Sequence, residues 1–386
     1  MRLFYFARID IQYEDASARH VIEFCRQFVN KGHSVTLFVP DLGTPRIIKG
    51  ISIVYVPVLT KKPAVTFFSF YFYLFFYFLK YYFKHKPDVV YTRHQQMEWM
   101  VTWLRYVLDF TYVIEVNGLT AVELKINKSP PWVRAMTRFL EYGSFRMPHK
   151  MVTSSPQIRD ILCAEYGLKP DHFLVVTNGA NPDIFYPMDQ KECRKRLGLD
   201  DGKIYLIFIG SLKKWHGLSQ IALAMPKLAE KFPDIHLMIV GDGEQRSALE
   251  TIVAENHLQD RVTFFGEQAF EEVPFYVNAA DICLGSFTDK PGISPLKIYD
   301  YMACAKPIVS NAVGGMELLF CEHNIGLLVE SQEPEAWVEP IVRLIENPDL
   351  RKKMGDNGRQ AVLSDFNWAN ICEKIGKKLE ALRFSK

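Results

Sequence analysis

Short unbroken apolar runs, each leading through a loop into an amphipathic stretch, recur in both halves of this chain, and that alternation restricts the fold more than any other feature. Leu3 to Ala7 is such a run, and so is Tyr-Leu-Ile-Phe-Ile within 204–209. Runs of this length without polar alternation suit strands buried on both faces, as in a parallel sheet. After the first run, Val21, Phe24, Cys25 and Phe28 fall on one helical face. Lys31-Gly32-His33 closes that helix, with Gly32 available for a left-handed cap. Ser34 to Pro40 then reads as a second strand. Strand, helix and strand make a βαβ unit, and its recurrence predicts an α/β chain.

A length of 386 residues predicts two domains. The two halves share the α/β pattern but no internal repeat. Hydrophobic content of 48% and charge of 23% supply material for two cores. A net charge of +2 gives no footprint for nucleic acid. The seven cysteines are scattered without a close pair, which argues against a disulfide framework or a zinc site and for a reducing compartment. The apolar run at the N-terminus is too short for a signal peptide and reads as a first buried strand.

Residues 64–83 stand apart, being almost wholly Phe, Tyr and Leu, with Lys61 and Lys62 before them and Lys80, Lys84 and Lys86 at the far end. The run falls slightly short of the roughly 20 apolar residues a spanning helix needs. Its tyrosines and flanking lysines suit a helix lying in the surface of an anionic bilayer. A core helix and a true span are the other readings. The strand expected next, Pro87 to Tyr91, disfavours the span.

In the second half, Pro291-Gly-Ile-Ser-Pro-Leu-Lys-Ile-Tyr-Asp-Tyr-Met-Ala-Cys-Ala-Lys-Pro307 predicts a helix. Ser294 caps it, Pro295 takes the first helical position, and the helix stops near Ala305 before a short strand at Ile308 and Val309. Lys297 and Asp300, three apart, share one face. A helix start with unpaired amides and a lysine in its first turn suits a phosphate, and the carboxylate one turn on suits sugar hydroxyls. A capped surface helix with a Lys–Asp pair remains the plainer alternative. The strand at 204–209 feeds Gly210-Ser-Leu-Lys-Lys-Trp-His-Gly217, either an anion cradle or a solvated basic loop. Arg93 and His94 end another strand, where an open parallel sheet places ligands. Asp242 and Glu244 read as turn residues rather than as a metal-binding acidic motif.

Ser-Pro-Leu-Lys-Ile-Tyr-Asp-Tyr-Met-Ala-Cys-Ala-Lys-Pro resembles the donor-site segment of the family 4 glycosyltransferases of the GT-B fold. The likeness extends along most of the chain, through Lys-Gly-His-Ser-Val-Thr at 31–36, Thr-Asn-Gly-Ala-Asn-Pro-Asp-Ile-Phe at 177–185 and Gly-Asp-Gly at 241–243. It implies two Rossmann-like domains facing across a cleft: residues 1–185, braced by a returning helix at 366–386, for the acceptor, and 186–365 for the donor. It implies that Lys213 and Lys297 carry the donor diphosphate, with His216 secondary. Gly210, Ser211, Gly217, Ser294, Pro295 and Leu296 then line the donor site, Asp300 binds the ribose hydroxyls, and Glu267 with Gln268 meets the base. Tyr13, Arg93, His94, Asn117 and Glu123 are the corresponding acceptor candidates.

Several positions depart from the family pattern. Ser211 stands where Arg is common and His216 where Lys is common. Asn117 replaces a frequent His, Gly292 a frequent Glu, and the loop 12–16 lacks a Gly-Gly pair. The implied function is retaining transfer of a sugar from a nucleotide-diphosphate sugar, a co-substrate rather than a cofactor, to an acceptor hydroxyl. The expected acceptor is a glycan or lipid-linked precursor, as in polysaccharide or lipopolysaccharide biosynthesis. The expected place is the cytoplasm, peripheral on the inner face of the membrane through 64–83. A GT-B sugar-nucleotide epimerase, an inactive GT-B scaffold and a membrane structural protein are the alternatives.

Overall fold

Apolar runs that cannot face water on either side close here into two wholly parallel sheets. The computed structural model describes the chain except residues 13–15, 44, 119, 121–123, 125–128, 289–294, 314 and 385–386. It divides into two units, Met1–Thr177 with Trp368–Lys386, and Asn178–Asn367.

The first unit holds β1 (Arg2–Phe6), β2 (Ser34–Pro40), β3 (Ser52–Val56), β4 (Val89–Arg93), β5 (Thr111–Val116), β6 (Lys150–Thr153) and β7 (Phe173–Val175). Their order is β3-β2-β1-β4-β5-β6-β7, so the direction of chain progress reverses between β1 and β4. Alternate side chains of a strand point to opposite faces. Phe4 and Phe6 therefore join one core with Phe78, Tyr112, Phe145 and Leu162. Tyr5 faces the other way and meets Phe24 of the helix Ala16–Asn30 at 5.2 Å between ring centroids. On that face the helix Trp368–Phe384 lies beside Ala16–Asn30, with Trp368 edge-on to His20. Strand β3 was not expected. Its buried positions alternate with partly exposed ones, as an outermost strand allows, and so it lacks the unbroken apolar run that marks its neighbours.

The aromatic run forms the helix Pro63–His85. Its Phe70, Tyr71, Leu74, Phe78 and Tyr82 are buried in the first core, while Phe68, Phe72, Phe76 and Phe83 are exposed. The choice between core helix and surface helix therefore dissolves, because the two faces of one helix are different. No described helix is long and apolar enough to cross a membrane.

The second unit holds β8 (Ile204–Ile209), β9 (Ile235–Val240), β10 (Val262–Gly266), β11 (Ile282–Gly285), β12 (Ile308–Asn311) and β13 (Gly326–Val329). Their order is β10-β9-β8-β11-β12-β13, with the reversal between β8 and β11. Tyr205, Ile207 and Ile209 feed one core and Leu206 and Phe208 the other. The division between units falls at 177/178 rather than at 185/186. Ala180 and Phe185 sit in a core of the second unit, and the Ala180 N–H donates to the Phe366 carbonyl at 2.9 Å.

Candidate functional site

In an open parallel sheet, ligands gather beyond the carboxyl ends of the strands where the strand order reverses. In the second unit that place lies between β8 and β11. The loop after β8 is Gly210–Gly217, and the segment after β11 leads into the helix Leu296–Ala303. Gly210 has φ 129, and a Cβ there would stand 3.0 Å from the Lys297 Nζ. Gly241, after β9, has φ 130, and a Cβ there would stand 2.1 Å from the Gly210 carbonyl oxygen. These two glycines let two backbones and one lysine converge.

Lys297 lies in the first turn of its helix and is 8% exposed. Its Nζ is 3.2 Å from Nδ1 of His216 and 3.7 Å from the centroid of the Phe208 ring. Among the described residues His216 is its only polar side-chain partner, and no carboxylate offsets its burial, which pulls the ammonium well below the usual lysine range. His216 is buried between the rings of Phe208, Trp215 and Phe287. The Trp215 carbonyl accepts the Thr288 N–H at 2.8 Å, tying the loop after β8 to the chain after β11. A cation held in a dry, glycine-lined corner beside first-turn amides suits an anionic ligand.

The expected start of this helix needs correction. Pro295 is its N-cap, with an extended ψ of 127, so helical geometry begins at Leu296 rather than at Pro295. The end comes at Ala303, before Ala305, which takes φ 53. Ser294 lies outside the described residues, as do Tyr13 and Glu123. Asp300, one turn beyond Lys297, is 1% exposed. Gly217 is buried and caps the helix Leu218–Lys231 with φ 58. Ser211 and Lys213 are exposed on the same loop. Glu267 is exposed just past β10, and Gln268 is turned back, donating to the Phe265 carbonyl at 2.6 Å. Asp242 accepts from the Gly243 N–H and from Arg246 at 2.7 and 2.8 Å, which makes it a turn residue.

Two groups at this corner were missed. The Tyr301 hydroxyl accepts the Ile209 N–H at 3.0 Å and donates to the Leu284 carbonyl at 3.4 Å, clamping the helix to both strands of the reversal. Asn311 accepts the Phe287 N–H through its side chain at 2.9 Å and so fixes the ring beside His216. A hydroxyl inside the apolar face of a short helix was the available signal for Tyr301.

The first unit has its own reversal between β1 and β4. There Arg93 donates to the Ser17 hydroxyl at 3.3 Å, and Asn117 donates to Glu115 at 2.6 Å. Glu115 is buried, pairs with His20, and accepts from the Tyr5 hydroxyl at 2.9 Å. Burial by itself raises Glu115, but His20 first, with Arg93 and Asn117, reverses this and holds the carboxyl at about 2. Glu115 and His20 were not singled out, although a carboxylate in the apolar run of β5 is a visible signal. His94 does not join them. Its ring is buried between Glu98 and Glu141, and Glu141 also accepts from the Tyr166 hydroxyl. Burial alone would lower His94; the two carboxylates outweigh it and lift the imidazole to about 9.

The chain matches the family described as Glycosyltransferase Family 4 over residues 17–184 and that described as Glycosyl transferases group 1 over residues 189–361. It belongs to the family 4 glycosyltransferases. An uncharacterized glycosyltransferase of Methanocaldococcus jannaschii is 33% identical to this family member over 181 residues, 47% of this chain and 46% of that relative. The chain spans about half the length of the curated relatives it matches. Its fold is GT-B. The sucrose-phosphate synthase of Thermosynechococcus elongatus superposes with a TM-score of 0.85 and 21% identity over 100% of both chains. Anabaena HepE in complex with UDP superposes with a TM-score of 0.79 and 16% identity, over 99% of this chain and 100% of that one. The corner around Lys297 therefore lies within the second, group 1 half of a GT-B fold.

Proposed function

We propose that this chain transfers a sugar from a nucleotide-diphosphate sugar to an acceptor hydroxyl. The observation that carries the reading is Lys297, a buried cation with no described carboxylate beside it, at the strand reversal of the second unit. A diphosphate supplies the missing counter-charge. Charge develops on that group as the glycosidic bond breaks, so Lys297, Lys213 and the first-turn amides favour departure of the leaving group. Asp300, one turn beyond Lys297, is read as the partner of the ribose hydroxyls. The sugar keeps its anomeric configuration: the acceptor attacks on the face the diphosphate leaves, and the departing phosphate oxygen takes the acceptor proton. No protein nucleophile is assigned.

HepE is described in complex with UDP and with UDP-glucose, which favours a uridine donor as the first probe. The acceptor is read as a lipid-linked or cell-surface glycan precursor. The exposed phenylalanines of the helix Pro63–His85, flanked by lysines, support a peripheral bilayer contact. A thermal-shift series with UDP-, GDP- and TDP-sugars tests the donor assignment, since a ligand that binds only the folded chain raises its midpoint. At least one should do so, and Lys297→Met should remove the rise. No response to any nucleotide would sink the reading.

A further inference from the structure

The first unit carries a second aromatic face beside the helix Pro63–His85. The helix Pro131–Arg146 exposes Trp132 (68%), Met136, Phe139 (77%) and Tyr142. Their spacing places them along one outer stripe. Between the two helices, the turn Trp103–Tyr106 exposes Trp103 and Tyr106. Arg105 of that turn donates to the Met147 carbonyl at the end of Pro131–Arg146. All three elements cover the same face of the sheet and share one core beneath. Among the described residues, every exposed Phe and Trp with a large accessible fraction belongs to them. Exposed aromatic side chains gathered on one face in this way mark an interaction site.

Its charge identifies the partner. The helix Pro63–His85 contains no Asp or Glu, and exposes Lys80 and Lys84. The helix Pro131–Arg146 carries Arg134, Arg138 and Arg146, and its single carboxylate, Glu141, is buried against His94. Arg138 pairs with the exposed Glu165, and Arg146 lies 4.2 Å over the Tyr142 ring, leaving its charge at the level of the aromatic stripe. Beside Phe68 and Phe72, an apolar groove of about 460 Å³ opens outward with Leu59 and Val65 on its walls. Aromatic side chains ringed by cations at one level match the boundary between acyl chains and anionic headgroups. A second copy of the chain fits poorly, because a two-fold contact would set these cations against their own equivalents.

We propose that the helix Pro131–Arg146 is a second membrane anchor, which together with Pro63–His85 and the turn between them seats this face flat on an anionic bilayer. The inference extends the single-helix contact proposed above and does not depend on the sugar chemistry. Two anchors on one face fix the orientation of the sheet against the membrane, which one helix leaves able to roll. The groove at Phe68 would then open into the acyl region.

Co-sedimentation of the full chain with phosphatidylcholine vesicles, with and without phosphatidylglycerol, tests this. Binding should require phosphatidylglycerol and weaken with salt. Phe139→Glu and Phe72→Glu should each lower partitioning by about tenfold or more, and the double variant should abolish it. Trp132 fluorescence should shift to the blue on binding, and Trp132→Phe should remove most of that shift. Both phenylalanines are exposed, so the variants should fold, and unchanged melting curves without vesicles would establish this separately from membrane binding. If Phe139→Glu partitions like the unaltered chain while Phe72→Glu does not, the second anchor is wrong and the single-helix contact stands. If light scattering shows a dimer that Phe139→Glu dissociates, the face belongs to a second copy and the proposal is overturned.

Discussion

The Lys297 ammonium lies 3.2 Å from Nδ1 of His216, and both groups are buried where the strand order of the second unit reverses. That nitrogen accepts from the ammonium in the neutral tautomer that carries its proton on Nε2. Among the described residues no carboxylate neutralises the lysine.

Replacing Lys297 by Met should separate stability from activity. It removes a buried amine whose charged form the empty site disfavours, so the midpoint of the unliganded chain should hold or rise. Transfer should fall on the order of 100- to 1,000-fold, the range for losing one preorganised group at a developing anion. Paired melting curves and initial rates decide the matter. A large loss of stability would mean that the lysine braces the fold instead.

Nucleotide binding should take up a proton at this site. Burial lowers Lys297 in the empty site, and a diphosphate beside it restores the charged form. The liganded state therefore holds more protons, and affinity for UDP should fall as pH rises from neutrality toward 10.5, the ordinary lysine value. Calorimetry in buffers of different ionisation enthalpy reads the uptake directly. Equal apparent heats in all of them, or the same pH slope in Lys297→Met, would count against it.

Much of this corner is legible in the sequence because its devices are local. The glycines after β8 and the lysine beyond a proline announce themselves by type and spacing. The two-domain α/β plan follows from apolar runs such as β1 and β8. What stayed hidden depends on distant partners. Nothing near His94 reveals that Glu141, 47 residues on, will pair with its ring. Edge strand β3 is short and half exposed, so it lacks the buried-strand pattern. The helix Pro63–His85 looked ambiguous because aromatic residues occupy all its faces, and only the sheet beneath decides which of them are buried.

Tyr301 is a positioning residue whose hydroxyl links β8 to β11 through the helix Leu296–Ala303. Tyr301→Phe leaves the buried Ile209 N–H without that acceptor, at a cost of about 1–3 kcal/mol. Denaturant titration should show this as a lower midpoint with an unchanged slope. Because the clamp holds Lys297 in register with Gly210, KM for the donor should rise more than kcat falls. An unaltered KM alongside the stability loss would reduce Tyr301 to a purely structural part.

His94 gives the first unit a pH signature of its own. Its folded-state value, about 9, lies above the ordinary 6.5, so its contribution to stability is complete below 6.5 and is lost as pH rises through 9. Glu115, held at about 2, acts in the opposite direction, contributing above 4.5 and losing that contribution as pH falls toward 2. Stability should therefore decline on the alkaline side through His94 and on the acid side through Glu115. His94→Gln leaves Glu98 and Glu141 facing each other without a cation. That should cost about 3–5 kcal/mol near neutrality, the penalty for breaking a buried ion pair. Chemical denaturation at closely spaced pH values should show the alkaline decline between 6.5 and 9 vanish in this variant while the acid limb remains. If the alkaline decline persists unchanged, the imidazole is not the group that titrates there.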